Sequence, residues 1–327
     1  MVTDQKPDNA PKQSLGLRAA GAAGVALVYG VGAYFLLETI RPSSGLVSAT
    51  FLLVQPAAIC AFIAYMIDLR GTRRLLRYMM VPFWTLLAVI LISVFYLREG
   101  VVCVMILSPL WLFSGMIGAL LTRHFRLVVT DDKVFSSVVL ALPLLALQIE
   151  STMTMPRDDY VVTRSIVVAA SPDQIWPLLR GIPDVRPDEG RWNVSQDIVG
   201  VPRPLSARLF GEGIGAERTA NWGEHIEFKE RIIEWQENRR IGWEFIFDSS
   251  QGWEFTDRHL APDSPYFHVT TGGYTLTPLD PGHTLVTLET RYWIETPVNA
   301  YSSLWGELFL GDLESNLLAL VKGRAER

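Results

Sequence analysis

Cysteine is scarce in this sequence, with only Cys60 and Cys103 among 327 residues, and both lie inside long apolar runs. The C-terminal half has none, which excludes a disulfide framework or a cysteine-rich zinc site there and gives no indication of the compartment. The five histidines show no metal-ligand spacing, and no Gly-x-Ser-x-Gly nucleophile motif occurs. The sequence therefore predicts no metal site and no cofactor.

Charge and hydropathy divide the chain into two parts. Residues 1–150 carry 12 Lys and Arg against 8 Asp and Glu, whereas residues 151–327 carry 17 against 26. An acidic C-terminal part argues against nucleic acid as a partner, because phosphates require a basic surface. The mean hydropathy is +0.23, and the apolar residues crowd into the first 150 positions. We predict a transmembrane helical domain at 1–150, a polar linker at 151–159 and a water-exposed domain at 160–327.

The N-terminal part contains five apolar runs, and a helix needs roughly 20 residues to cross the hydrocarbon of a bilayer. The runs cover about 19–37, 46–67, 78–97, 101–121 and 134–149. The fifth is short and contains Pro143, so it is either a tilted span in a thinned bilayer or an interfacial helix. Ionisable residues lie only near the ends of the runs, which argues against a proton relay or an ion pathway. The first run has small residues at Ala20/Gly24 and at Ala26/Gly30, with a spacing that favours close helix packing.

The Lys and Arg residues predict the orientation, because positively charged loops stay in the cytoplasm. Ten of them lie on one side of the predicted membrane: Lys6, Lys12, Arg18, Arg70, Arg73, Arg74, Arg77, Arg123, Arg126 and Lys133. The alternate loops hold only Arg41 and Arg98. We expect a multi-pass protein of the bacterial inner membrane with a cytoplasmic N-terminus. Five spans would place the C-terminal domain in the periplasm, and a fifth run that is only interfacial would not.

The C-terminal part has the pattern of a sheet followed by one long helix. Ser171-Pro172-Asp-Gln174 forms a capping box that predicts a short helix after the first strand. The predicted strands cover 160–169, 207–210, 216–222, 226–233, 241–247, 269–276 and 284–294. A final helix is predicted at 299–322, with an apolar face formed by Leu304, Leu308, Leu313, Leu317 and Val321.

Two motifs in this part resemble those of the START/SRPBCC superfamily. Ser171-Pro172-x-x-Ile-Trp176 is similar to the segment that follows the first strand in that superfamily. Gly211-x-Gly213-x-Gly215-Ala-x-Arg218, followed by Glu230 and Trp235, resembles its membrane-tethered polyketide-cyclase/dehydrase-like, lipid-transport-like branch. The similarity spans about residues 158–327. It implies a helix-grip fold, with a seven-stranded antiparallel sheet wrapped around the last helix and an elongated apolar cavity between them.

The three glycines of Gly211-x-Gly213-x-Gly215 also invite comparison with a phosphate-binding loop. A dinucleotide-binding loop leads from a strand directly into a helix, whose N-terminus holds the pyrophosphate. Here the pattern after the glycines is a strand, and no Lys-Ser/Thr pair follows. We therefore interpret the glycines as a tight turn or bulge between two strands.

Alternation along the strands predicts one ion pair. The even positions of 216–222 and 226–233 are apolar except for Arg218 and Glu230, and a three-residue loop at 223–225 would place these two residues opposite each other. We predict an Arg218–Glu230 ion pair on the inner face. The pair either pins the register of the sheet or orients a polar head group, such as a carboxylate or phosphate, at the mouth of an apolar pocket.

The same alternation selects the candidate ligand-binding residues on the inner face. They are Arg218, Trp222, Phe228, Glu230, Trp243, Phe245, Tyr274, Leu288 and Tyr292. Glu230 and Tyr292 are the candidates for acid–base catalysis, although nothing in the sequence requires catalysis.

Three functions are consistent with these features, because the superfamily that the chain resembles contains carriers, cyclases, hydrolases and plain binding modules. The leading hypothesis is a membrane-anchored, non-enzymatic protein that binds or transfers a hydrophobic small molecule or lipid. The second is a cyclase or dehydratase acting on a polyketide-like substrate. The third is a non-catalytic assembly or interaction subunit of a membrane complex. The expected partners are the hydrophobic ligand, the lipid bilayer and, for the third hypothesis, other membrane subunits.

Overall fold

A computed structural model of the chain describes residues 15–40, 47–68, 74–97, 101–126, 132–223, 225–248 and 261–327. Its contacts divide the chain into two units, one comprising 1–92 and 107–153, the other 93–106 and 154–327. Six of the charges that predict the orientation lie outside the described residues: Lys6, Lys12, Arg41, Arg70, Arg73 and Arg98. The start of the second predicted span, at residue 46, lies outside them too.

The N-terminal part is helical, as its apolar runs predict. Its helices are α1 (Leu15–Ile40), α2 (Gln55–Ile67), α3 (Leu75–Ile92), α4 (Val101–Phe125) and α5 (Asp132–Glu150), with π-helical turns at Thr50–Val54 and Ser93–Leu97. Four helical segments in the described part are long and apolar enough to cross a membrane: Ala20–Leu37, Thr50–Ile67, Leu75–Tyr96 and Val102–Phe125. A shorter apolar segment, Ser137–Glu150, belongs to α5.

Helix α5 packs with the other helices of its unit. The Glu150 carboxylate at its C-terminal end accepts hydrogen bonds from the backbone N–H of Ala49 (2.6 Å), and from the backbone N–H (3.0 Å) and hydroxyl (2.7 Å) of Thr50. A carboxylate is favourable there, because the first N–H groups of a helix have no partner inside the helix. Farther along α5, the Leu140 carbonyl accepts a hydrogen bond from the Tyr29 hydroxyl of α1 at 2.9 Å.

Two glycines of α4 allow close approach to α2. A Cβ atom at Gly118 would collide with the backbone carbonyl of Ala57, and one at Gly115 would lie 2.7 Å from Cys60 Sγ. Gly24 of α1, in contrast, is exposed and would meet nothing within 4 Å. Of the two small-residue pairs predicted for packing in α1, Ala20/Gly24 is exposed, whereas Ala26 is buried and a Cβ atom at Gly30 would lie 3.5 Å from Ile59 of α2.

The C-terminal part is one antiparallel sheet with a long last helix. Its strands are β1 (Arg157–Val168), β2 (Pro204–Phe210), β3 (Glu217–Trp222), β4 (Ile226–Gln236), β5 (Arg240–Ile246), β6 (Asp263–Ser264), β7 (Phe267–Asp280) and β8 (His283–Glu295). Its helices are α6 (Pro172–Arg180), α7 (Val194–Asp197) and α8 (Asn299–Ala325). The strand order is β1-β8-β7-β5-β4-β3-β2, with β6 paired to β7, and α8 packs on β1 and β8.

The sheet has eight strands, so the expected number of seven was wrong. The additional strand β6 has only two residues, paired as Asp263↔His268 and Ser264↔Phe267. Two residues are too few to show any alternation of apolar and polar side chains. Strand β1 begins at Arg157, inside the predicted linker.

The glycines at 211, 213 and 215 form the turn between β2 and β3. Their φ angles are +88°, +79° and +88°, which glycine adopts readily and other residues rarely do. A strand follows them, which confirms the turn interpretation. The capping box before α6 is also confirmed, with Gln174 Oε1 accepting a hydrogen bond from the Ser171 backbone N–H at 3.0 Å.

The first half of helix α8 faces the sheet differently from its predicted apolar face, whereas Leu317 and Val321 in the second half pack in the core as predicted. Leu304 is 66% exposed and Leu308 is 36% exposed, while Gly311 and Glu314 are buried. Gly306 lies so close to the Tyr292 ring that a Cβ atom there would be 2.5 Å from the tyrosine hydroxyl oxygen. In this part of α8, close packing at Gly306 and Gly311, rather than the spacing of Leu304 and Leu308, therefore determines which face covers the sheet.

Candidate functional site

The inner face of the sheet is the one that alternation predicts. Residue Arg218 of β3 pairs with Glu230 of β4, and Ala220 pairs with Phe228, which confirms the predicted register. Each of the nine candidate residues lies on the inner face of its strand. Their part in ligand binding stays a prediction.

The predicted ion pair between Arg218 and Glu230 is confirmed, and both residues are buried. Arg218 Nε donates to Glu230 Oε2, and Arg218 Nη1 donates to the Leu179 carbonyl of α6 at 2.6 Å. The guanidinium carbon also lies 4.3 Å from the centre of the Trp243 ring. These contacts tie β3 to β4, β5 and the C-terminal end of α6, where a cation is favourable. They favour the structural role of the pair over the binding of a ligand head group.

One end of the interior is a dense apolar core. Trp243, Tyr274 and Leu288 belong to it, together with residues of α6 and the C-terminal half of α8. The Trp243 and Tyr274 ring centres are 5.5 Å apart. Burial raises the pKa of the Tyr274 hydroxyl, so this group is protonated at neutral pH.

The other end, which we call the aromatic end, consists of Trp222, Phe228, Phe245 and Phe247. The Phe228 ring centre lies 6.1 Å from Trp222, 5.9 Å from Phe245 and 5.8 Å from Phe247. Trp222, Phe245 and Phe247 remain partly exposed although they point inward, whereas Arg218, Glu230 and Ile232 on the same face are buried. The described residues therefore leave apolar ring surface accessible on the inner side of the sheet at this end.

Tyr292 of β8, the strand next to β1, belongs to a buried cluster against which Phe245 and Phe247 of the aromatic end pack. Its ring stacks on Tyr160 at 5.6 Å, and its hydroxyl lies 3.5 Å from the Ser303 carbonyl of α8. Burial raises the pKa of Tyr292 to about 12. A hydroxyl with that pKa can donate a proton or a hydrogen bond at neutral pH, but it is not a base.

Glu314 of α8 is an inward-facing carboxyl that the sequence pattern did not select. It is 2% exposed, and neither carboxylate oxygen has a hydrogen-bond partner in the part of the chain that the structure describes. Burial raises the pKa of Glu314 to about 7, against smaller opposing effects of the Thr290 hydroxyl and the Arg164 guanidinium. The only available signal was its position on the last helix among glycines and leucines, which does not distinguish it from an exposed glutamate.

Residues 183–203, which we call the strap, are held against α8 by polar contacts. The Ser195 backbone N–H and hydroxyl donate to Asp312 at 2.9 and 2.8 Å. Glu189 is buried and accepts from Arg324 Nη2 at 2.7 Å and from the Arg186 backbone N–H at 3.1 Å. These contacts fix the strap on the helix that covers the inner face.

The Glu189 contacts predict a pH dependence of stability. The hydrogen bond from Arg324 is the main cause that lowers the pKa of Glu189 to about 2. Because this value is below the ordinary carboxyl pKa, the stabilisation is complete above about pH 4.5 and is lost as the pH falls from there towards 2. Glu189→Gln should lower the unfolding temperature at pH 7 by an amount equivalent to about 1 kcal/mol, and the difference from the wild type should shrink below pH 4.5.

The matched control for this experiment is Glu212→Gln, because Glu212 is 72% exposed and forms only a surface ion pair with Arg180. Thermal unfolding followed by circular dichroism between pH 2.5 and 7.5 makes the measurement. Parallel curves for wild type and Glu189→Gln across this range would contradict the assignment.

The described residues contain no group of three or more His, Cys, Asp or Glu side chains that could hold a metal ion. Among the described residues, the interior thus offers aromatic rings, several hydroxyl groups and the unpaired carboxyl of Glu314. The strand order and the long helix that follows β8 are those of a known architecture. The C-terminal part has a helix-grip fold, in which a long last helix packs on an antiparallel sheet.

Several solved structures are similar to about half of the chain at low identity. A point mutant of norcoclaurine synthase from Thalictrum flavum with a transition-state analogue is 16% identical, over 52% of this chain and 98% of that one, with a TM-score of 0.31. The Zhui aromatase/cyclase from a Streptomyces species is 18% identical over 52% and 95%, with a TM-score of 0.33. The protein XoxI from Bacillus cereus is 16% identical over 50% and 94%, with a TM-score of 0.31. No protein-family model and no curated protein matches the chain.

Proposed function

We propose that the helix-grip domain binds a hydrophobic small molecule or lipid between its aromatic end and α8. The observation that supports this most directly is the partial exposure of Trp222, Phe245 and Phe247 on the inner face of the sheet. Aromatic rings that point towards a covering helix and still have accessible surface are suited to apolar ligands. The acidic surplus of the domain excludes nucleic acid from the proposed partners.

Binding without catalysis is the function that the polar contacts favour. Glu230, one of the two catalytic candidates, is engaged by Arg218, and the Tyr292 hydroxyl faces the Ser303 carbonyl, which is not a base. A cyclase or dehydratase would instead have to use Glu314 as its acid. An assembly subunit would have no ligand between the sheet and α8, so a binding measurement separates it from the other two functions.

We further propose that the apolar helices anchor the domain in a bacterial inner membrane by five spans. Helix α5 supports the fifth span, because it hydrogen-bonds to α1 and to the start of the π-helical turn at Thr50–Val54. Its apolar segment, Ser137–Glu150, is about 21 Å long, so we propose that it crosses a locally thinned bilayer. With a cytoplasmic N-terminus, five spans place the helix-grip domain in the periplasm. A reporter that is active only in the cytoplasm, fused after Arg327, should then be silent, and a bright signal would contradict the topology.

The ligand-binding proposal predicts a specific pattern of photolabelling. The full chain in lipid nanodiscs is irradiated with a long-chain alkane that carries a diazirine, and the labelled peptides are mapped by mass spectrometry. We expect label on the peptides of the aromatic end, and Phe245→Ser should reduce it at least about threefold, because the substitution removes apolar contact area from the inner face. The signal is divided by the label on the apolar helices of the same sample.

Ile233→Ser is the matched control, since Ile233 lies on the outer face of β4 and is 45% exposed. It should leave the labelling ratio unchanged. Label confined to the apolar helices in the wild type, or equal loss in the two variants, would refute binding at the aromatic end.

A further inference from the structure

Two residues leave buried polar atoms unpaired in the interior of the helix-grip domain. Among the described residues, no hydrogen-bond partner is found for either oxygen of Glu314 or for Trp243 Nε1. Glu314 is only 2% exposed and Trp243 only 4%. An unpaired buried polar atom costs about 1–3 kcal/mol, and natural proteins contain few of them. Three such atoms in one interior therefore indicate a polar binding partner that the described residues do not supply.

The unpaired atoms belong to one place in the fold. Trp243 of β5 pairs with Gly272 of β7, which pairs with Thr290 of β8, so these residues form one row across the inner face. The indole lies flat over Gly272, where a Cβ atom would be only 2.8 Å from Nε1. This places the N–H group above β7, beside Thr290.

Glu314 reaches the same row from α8. The Thr290 hydroxyl is close enough to affect the pKa of Glu314, and the Glu314 charge in turn affects Tyr274, whose ring touches Trp243. An unpaired donor on the sheet and unpaired acceptors on the helix therefore face the same space. They do not satisfy each other, so a group that bridges them must supply both an acceptor and a donor.

We propose that Glu314 and Trp243 bind the hydroxyl group of a neutral, otherwise apolar ligand. The hydroxyl oxygen accepts the hydrogen bond of the indole N–H, and the hydroxyl hydrogen is donated to the Glu314 carboxylate. The ionised form of Glu314 would repel an anionic head group in a low-dielectric interior, whereas a neutral hydroxyl carries no such penalty. This inference rests on the proposed function and adds the chemical class of the ligand.

Aromatic rings connect this polar position with the aromatic end. Phe247 stacks on Phe245 at 6.0 Å, and Phe245 is 6.0 Å from Trp243. The apolar part of an alcohol or phenol would lie along these rings, with its hydroxyl group at the row of Trp243 and Thr290. A ligand without a hydroxyl group would satisfy the rings and leave the polar atoms unpaired.

The test compares two photoactivatable probes of equal chain length in nanodiscs, a diazirine-bearing fatty alcohol and the corresponding alkane. Label on the helix-grip domain is divided by label on the apolar helices of the full chain. We expect the alcohol to give at least a fivefold higher ratio than the alkane. Glu314→Leu should remove this preference and leave the alkane ratio unchanged, whereas Glu314→Gln, which retains hydrogen-bonding atoms, should keep most of it.

Trp243→Phe provides a second variant, because it removes the N–H and keeps an aromatic ring over Gly272. It should reduce the preference for the alcohol severalfold. Each variant is compared with the wild type by thermal unfolding, and Glu314→Gln serves as the reference if Glu314→Leu unfolds.

The outcomes separate this inference from the proposed function. Equal labelling of the domain by the two probes would overturn hydroxyl recognition, leave apolar binding intact and indicate that buried water occupies the polar position. A preference for the alcohol that survives in Glu314→Leu and Trp243→Phe would overturn the assignment to these residues. Failure of both probes to label the domain would overturn the inference and the proposed function together.

Discussion

Arg218→Met should destabilise the helix-grip domain by about 3–5 kcal/mol, because it leaves the Glu230 carboxylate buried without its partner. Arg218 and Glu230 are 4% and 6% exposed, so water cannot replace the guanidinium without opening the sheet. The substitution also removes the hydrogen bond to the Leu179 carbonyl, which holds α6 against β3. Chemical unfolding of the full chain in detergent, followed by tryptophan fluorescence, measures the change.

Two variants serve as controls for this prediction. Arg231→Met breaks the Arg231–Glu244 pair between β4 and β5, whose side chains are 50% and 40% exposed, and should cost less than about 1 kcal/mol. The double variant Arg218→Met with Glu230→Leu should recover much of the loss, since no charge then remains buried. If Arg218→Met were no more destabilising than Arg231→Met, the buried ion pair would not be a structural anchor.

Gly118→Val should disrupt the helical unit by at least about 3 kcal/mol. The added Cβ atom would collide with the backbone carbonyl of Ala57 on α2, and a backbone atom cannot move aside as a flexible side chain can. Close approach at small residues also allows the dispersion contacts that stabilise helices in lipid. We expect a lower yield of folded protein in detergent and a lower unfolding temperature by circular dichroism.

Gly24→Val is the matched control, because it places the same residue in a helix at an exposed position where nothing lies within 4 Å. Its effect should be limited to the difference in helix propensity, which is below about 1 kcal/mol. Similar losses in Gly118→Val and Gly24→Val would show that α2 and α4 do not pack as the structure has them.

Much of the helix-grip fold follows from short-range patterns in the sequence. Strand alternation predicted that Ala220 pairs with Phe228 and Arg218 with Glu230, because a three-residue loop permits only one parity. The Ser171 capping box predicted the start of α6 for a similar local reason. Such features depend on neighbours a few residues away, so they can be read from one sequence.

Features that depend on distant contacts were missed or assigned to other residues. Leu304 and Leu308 have helical spacing but are exposed, because Gly306 and Gly311 bring the other face of α8 onto Tyr292 and Arg164. Glu314 is buried because it lies on this same face of α8. In the helical unit, Gly118 of α4 lies against the backbone of Ala57 on α2. This contact cannot be predicted from the sequence, because it depends on where α2 lies.

The central claim is that a hydrophobic molecule is held between the inner aromatic face and α8. Native mass spectrometry of the gently purified full chain tests it most directly. We predict one apolar molecule per chain that stays bound after exchange into lipid-free detergent, and that Phe245→Ser releases it while Ile233→Ser does not. A wild-type mass equal to that of the polypeptide alone, with only loosely bound lipid that detergent removes, would contradict the claim.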